Sequence, residues 1–390
     1  MFKGILSMRM VVAGIAVAML LGLTCLPQAL AHQLPKGFSG FEDPAVCGGC
    51  HEAIYKEWQG SMHSKSSKAA DPVHAAVHEA FTKAMAASGK PQSYFCATCH
   101  APTADNMAAL MKGEAVYDPA NPTDARGVTC SFCHKADGLV EGDKFNTYKL
   151  SEGIKGPSKD STAPHGSVFS EFNASFHMCL GCHGRMVNGK GGVVCSMDEE
   201  GMSDCLKCHM DEALGAPAAG SRKPTHVSHG MPGGHDIAML KKGATVSLKK
   251  ELGRLVVALE NKNPHMFPST NPLRVAFVKV ELFDKDGKRL FANFDKDPSE
   301  DPKAMLIKVF KAGDKTGVPS WEAEGVAKDS RLMPGEERVL IYNIPEGAAR
   351  ASAKLYYRFV PGAAIEKFGI KPDGVVDKPC VVSEAELALK

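Results

Sequence analysis

A chain of 390 residues exceeds one ordinary domain and suits two or three. With 44% apolar and 23% charged residues it can bury cores, which excludes a disordered polymer. Its 46 basic and 44 acidic side chains leave a net +2, so the basic footprint of a nucleic-acid binder is missing and no such partner is expected. Only 7% of residues are aromatic, while 13 Cys and 15 His stand out.

Residues 1–31 read as a signal peptide. Lys3 and Arg9 form a positive start, Val11 to Leu26 is apolar apart from Thr24, and Ala29-Leu30-Ala31 offers a small-x-small cleavage site. The apolar run is short for a bilayer span, which needs about 20 residues. The mature chain is expected to begin near His32, in the periplasm or outside the cell.

Export argues for disulfides, but the spacing argues otherwise. Cys47-Gly-Gly-Cys50-His51 is followed by Cys96-Ala-Thr-Cys99-His100, Cys130-Ser-Phe-Cys133-His134, Cys179-Leu-Gly-Cys182-His183 and Cys205-Leu-Lys-Cys208-His209. Five C-x-x-C-H segments are far beyond coincidence, and the pattern is the c-type haem attachment site. Two Cys three apart on a helical turn face the same way and can add to two vinyl groups on one porphyrin edge. The next His then serves as axial ligand to the iron. Zinc ribbons also pair C-x-x-C units, but they need no His after each pair. Five covalently bound haem c groups are therefore expected, at His51, His100, His134, His183 and His209. The motifs begin at 47, 96, 130, 179 and 205, with no fixed period, so a solenoid is excluded.

Residues 32–213 are read as a pentahaem domain, mostly helix and irregular loop wrapped round porphyrins. Helical stretches are predicted over Ala45–Trp58, Pro72–Ala87 and Ala104–Lys112. Residues 214–242 form a linker rich in Pro, Gly and Ala. From 243 to 390 the pattern becomes period-two, predicting strands at Thr245–Lys250, Arg254–Glu260, Leu273–Phe283, Arg289–Phe294, Met305–Phe310, Arg338–Tyr342, Lys354–Val360 and Val375–Val382. Asp284-Lys-Asp-Gly287 supplies a hairpin turn. The expected fold is multidomain, a haem module followed by an antiparallel β-sandwich of immunoglobulin-like kind.

Ten His remain for the sixth iron position: His32, His63, His74, His78, His165, His177, His226, His229, His235 and His265. A second His closes an iron for electron transfer, whereas an open position permits catalysis. His74 and His78, at i and i+4, read as a polar helix face. The run from Cys47 to His51, then Trp58 and Ser61-Met-His63, resembles the opening of multihaem cytochromes of the cytochrome c-554 family. Cys96–Thr103, Gly127–Cys130, Cys208-His-Met210 and Pro164-His165 also resemble that family. Ser228-His229-Gly-Met-Pro-Gly-Gly-His235 and Asn263-Pro-His265-Met-Phe-Pro268 are similar to elements of a five-haem branch ending in a β-domain. The resemblance implies His63, His165, His229, His235 and His265 as distal iron ligands, with His63 capping a haem other than its own.

Two functions compete. The first is an electron carrier of anaerobic respiration, exchanging electrons with a membrane quinol oxidoreductase or other cytochromes, with self-association into a filament as a variant. The second is an oxidoreductase with one open haem, acting on nitrite, hydroxylamine or a sulfur oxyanion such as tetrathionate. No C-x-x-C-K site, P-loop or dinucleotide fingerprint is present, so no catalytic residue is assigned. Cys195 and Cys380 are left over, either bonded to each other or as two separate thiols. Met178, Met210, Met231 and Met266 beside the motifs suit packing on a porphyrin edge.

Overall fold

Each C-x-x-C-H segment folds as one helical turn. His51, His100 and His209 each donate the backbone N–H to the carbonyl of their motif's first Cys, at 2.9, 3.0 and 3.0 Å. The structure, a computed structural model, describes residues 32–36, 38–159, 161, 163–197, 204–271 and 273–389. The expected signal peptide and its cleavage point near Ala31 lie outside the described residues.

The haem-motif region runs α1 (Pro44–Gly48), α2 (Glu52–Gly60), α3 (Pro72–Ala87), α4 (Ala97–His100), α5 (Met107–Lys112), α6 (Pro122–Ala125), α7 (Cys130–Lys135), α8 (Leu180–His183) and α9 (Leu206–His209). The helix expected over Ala45–Trp58 is broken at Cys50–His51, because the motif's own turn ends α1 and His51 caps α2. Helix α3 keeps its expected bounds, starting on the Asp71 carboxylate, which accepts the Val73 and His74 N–H groups. Short two-stranded ladders fill the gaps: β1 (Ala136–Val140) with β2 (Thr147–Leu150), β3 (Lys155–Gly156) with β4 (Val168–Phe169), and β5 (Met186–Val187) with β6 (Val193–Cys195). They carry too few residues for a legible period.

The stretch read as a linker is ordered. Strands β7 (Glu212–Leu214) and β8 (Thr225–Val227) pair across its Pro/Gly loop. Ala219 N–H bonds the Cys50 carbonyl at 2.8 Å, laying the loop over the first motif. Helix α10 (Ile237–Gly243) then leads into the strands.

Strands β9 (Ala244–Glu251), β10 (Arg254–Asn261), β11 (Val275–Phe283) and β12 (Arg289–Ala292) follow the expected pattern, with the Asp284–Gly287 turn closed by a 3.2 Å bond. The expected strand Met305–Phe310 divides at Ile307 into β13 (Met305–Leu306) and β14 (Lys308–Ala312). Next come β15 (Lys315–Thr316), β16 (Gly325–Asp329), β17 (Glu337–Asn343), β18 (Arg350–Arg358), α11 (Gly362–Phe368) and β19 (Cys380–Ala388). The last strand begins five residues later than expected, because Val375 and Val376 instead bond the Asp373 carboxylate. One antiparallel sheet has the order β17-β10-β9; another runs β12-β11-β18-β19 with β13 beside β11; a third runs β15-β14-β16. Leu255, Val257 and Leu259 of the first share a core with Val278, Val280, Leu282 and Leu355 of the second. Burying each contributes about 1.5–3 kcal/mol.

This core reaches the haem-motif region, because Val73, Ala76 and Val77 of α3 join it. Asn188 Nδ2 donates to the Ser320 and Ala323 carbonyls at 2.7 and 2.6 Å, and Phe81 meets Trp321 edge-on. Val194 packs with Phe310 and Ala323 in a smaller shared cluster.

Candidate haem sites

In four of the five motifs the histidine ring is oriented by a backbone carbonyl. Nδ1 of His51, His100, His134 and His209 donates to the carbonyls of Pro217, Ser66, Lys155 and Pro232 at 2.7, 2.8, 2.7 and 2.6 Å. A carbonyl can only accept, so Nδ1 carries the proton and the Nε2 lone pair is left for a metal. His165 and His229 show the same arrangement, with Nδ1 on the Gly166 and Val227 carbonyls at 2.8 and 2.7 Å. His265 Nδ1 meets the Met266 carbonyl at 3.1 Å, and His63 Nδ1 contacts Met231 Sδ. Burial lowers His63 to about 4 and also lowers His100, His134 and His229, keeping these rings neutral as ligation requires.

Four pairs of rings face each other across a constant gap. Ring centres lie 6.1 Å apart for His51 and His165, and 6.3 Å for His134 and His229. For His183 and His63 the separation is 6.1 Å, and for His209 and His265 it is 6.4 Å. Two metal–nitrogen bonds of about 2.0 Å, plus about 1.1 Å from each nitrogen to its ring centre, require about 6.2 Å. Each gap therefore fits one iron between two imidazoles.

The second motif differs. His74 lies flat on His100 with ring centres 3.9 Å apart and planes 4° from parallel, a gap too small for an iron. His74 Nε2, the atom a ligand would use, bonds Tyr94 Oη at 2.9 Å. Burial and the neighbouring His100 push His74 down to about 2. The i, i+4 spacing of His74 and His78 on α3 turns both toward Tyr94, so this pair is more than a polar helix face.

Attachment cysteines of different motifs also meet. Cys47 contacts Cys130, Cys99 contacts Cys182, and Cys179 contacts Cys205, while Cys133 lies within electrostatic reach of Cys182. First, third, fourth and fifth motifs thus adjoin in series, with the second beside the fourth.

A family model described as cytochrome c554 and c-prime matches residues 46–135. The chain is also similar to a penta-heme cytochrome c552 from Thermochromatium tepidum, with a TM-score of 0.73 and 26% identity over 89% of this chain and 99% of that one. The chain is a multihaem c-type cytochrome, similar to the c554 family over residues 46–135. A hypothetical protein from Pyrococcus horikoshii OT3 and a superoxide reductase align over 38% of the cytochrome and 88% of their own chains. Their identities of 9% and 5% and TM-scores of 0.16 and 0.17 carry no argument. No curated protein matches it.

Two further readings of the cytochrome's sequence concern residues outside these pairs. His235 faces no motif His among the described residues; its ring lies 3.7 Å from Phe359 and beside Arg274, held by the β-sheet region. Cys195 and Cys380 form no disulfide: the Cys195 thiol meets Thr270 Oγ1 at 3.2 Å, while Cys380 pairs with Tyr357 on β18. Residues outside the C-x-x-C-H segments complete the sites. Glu57 accepts from His226 Nε2 at 3.0 Å and from the His229 N–H at 2.8 Å, fixing the segment that presents His229. Trp58 Nε1 donates to the Val128 carbonyl at 2.8 Å, joining α2 to the third motif.

Proposed function

We propose that the cytochrome is an exported electron carrier holding five haem c groups, four of them bis-His. The contacts between attachment cysteines carry this reading, since they draw the motif edges into one series from the first to the fifth site. Haem c, when bound, provides a one-electron iron couple. Cys47 and Cys50, Cys96 and Cys99, Cys130 and Cys133, Cys179 and Cys182, and Cys205 and Cys208 would hold the porphyrins. The ring spacings support His51 with His165, His134 with His229, His183 with His63 and His209 with His265 as axial pairs. Backbone carbonyls fix six of these eight rings before any electron arrives, which keeps reorganisation small.

The count of five rests on five intact motifs and is supported by the penta-heme neighbour. We read the two larger sheets over one core as an immunoglobulin-like sandwich, with His265 bringing it to the last site. The signal-like start supports a periplasmic location for an anaerobic respiratory carrier, with a membrane quinol oxidoreductase or other cytochromes as partners and self-association as a further mode. No described helix is long and apolar enough to cross a membrane.

One observation favours a second reading, an oxidoreductase for a nitrogen or sulfur oxyanion. His74 lies too close to His100 to share an iron with it, and among the described residues no other histidine ring faces His100 across an iron-sized gap. Electron paramagnetic resonance of the oxidised protein tests both. Four low-spin ferric signals and one high-spin signal are expected. Five low-spin signals would remove the second reading, and fewer than four would break the axial pairing.

A further inference from the structure

A cavity of about 550 Å³ opens beside the second motif, lined among others by Lys68, His78, Lys90, Tyr94 and Tyr117. Tyr94 links it to the motif, since its hydroxyl bonds His74, which lies on His100. Lys68 Nζ sits 3.5 Å from His78 Nδ1 and over the Tyr94 and Tyr117 rings at 5.0 and 4.4 Å. An ammonium only donates, so His78 Nδ1 must accept and Nε2 must carry the proton. That Nε2 is buried on a side chain 6% exposed and makes no well-formed hydrogen bond, the Ser93 backbone being the polar group beside the ring. An unmet buried donor costs about 1–3 kcal/mol unless something fills the site. No acidic residue lines the cavity among the described residues; Asp124, whose charge reaches Lys68, is buried outside the lining.

We propose that this cavity binds an oxyanion, with Lys68 Nζ as its charge partner and the His78 Nε2–H as its hydrogen-bond donor. Two cations and an unmet donor without a carboxylate select an anion over a neutral or cationic ligand. The proposal deepens the reading of an open second centre by giving it a substrate class.

The test uses the full-length, haem-loaded protein and nitrite as probe. Nitrite binding to the oxidised protein is followed by calorimetry and by the visible spectrum, and carbon monoxide binding to the reduced protein is measured separately. Lys68→Gln is expected to weaken nitrite binding at least tenfold and His78→Gln several-fold, with carbon monoxide binding to one haem in all three proteins. Full haem content and the four low-spin signals show that each variant is folded. Absence of calorimetric nitrite binding, or nitrite binding unchanged in both variants, would overturn the oxyanion site. Nitrite binding that depends on Lys68 without any carbon monoxide binding would retain the oxyanion site and overturn only the open centre.

Discussion

His63 shows how one side chain ties distant parts of the chain. It leaves α2 three residues after the helix ends, yet its ring stands 6.1 Å from His183 in the fourth motif. His63→Ala is expected to turn one low-spin haem high-spin while all haems stay attached, read by paramagnetic resonance and by the mass of the denatured chain. His32 is a different kind of histidine. Its Nε2 donates to the Thr98 carbonyl at 3.1 Å and its Nδ1 accepts the Tyr148 N–H at 3.2 Å, so a second proton has no place. Burial accordingly lowers it from 6.5 to about 4. At pH 7 both folded and unfolded forms are neutral. As pH falls below 6.5 the unfolded chain takes a proton that the folded one refuses, and stability is lost until about pH 4. The loss is roughly 3 kcal/mol. Denaturant unfolding at pH 7 and pH 4.5 should show it, and His32→Gln, which keeps a donor and an acceptor, should flatten the slope.

Helical turns and loops are held at close approach, and small residues mark the places. A Cβ on Gly127 would stand 2.2 Å from the His63 carbonyl oxygen, which itself accepts the Val128 N–H at 2.8 Å. Gly127→Ala must push the His63 segment away from the third motif. It is expected to destabilise the fold by about 1–3 kcal/mol, and to alter the low-spin signal assigned to the His63–His183 pair. Gly181 inside the fourth motif is equally confined, with a Cβ 2.2 Å from the Tyr148 ring. The β8 segment has its own clamp in Glu57. Glu57→Ala leaves the buried His226 Nε2 and the His229 N–H without their acceptor. Losing it should cost about 2 kcal/mol. The spectrum of the His134–His229 pair should change while that of His51–His165 does not.

Across the whole molecule, the β-sheet region is joined to the haem-motif region by a shared apolar core, the Asn188 bonds and the His209–His265 gap. These contacts separate seating from ligation. His265→Ala removes the imidazole and leaves the apolar seat, so the expected outcome is one new high-spin, carbon-monoxide-binding haem with little loss of thermal stability. Phe81→Ala and Trp321→Ala strip the seat instead, and together should lower the unfolding midpoint before they change any haem spectrum. A His265→Ala protein with five unchanged haem signals would refute the ligand assignment.

The sequence by itself determined the attachment chemistry, because C-x-x-C-H is local: five residues on one helical turn contain the whole instruction. It also determined most strands, whose period-two burial is written residue by residue, and the bounds of α3. Distal histidines are a different matter. His165, His229 and His265 were singled out through resemblance and stand about 6 Å from motif histidines, but His235 carries the same signature and the sheet region holds it against Phe359. Nothing within a few residues distinguishes the two cases, since a ring's distance from a metal site is set by the path of the whole chain. The i, i+4 pair on α3 was visible as a pattern, but the 3.9 Å contact of His74 with His100 depends on where the second motif packs. The same limit applied to Cys195 and Cys380: two spare thiols are a count, whereas a bond needs a distance, and only the tertiary structure holds them to different neighbours.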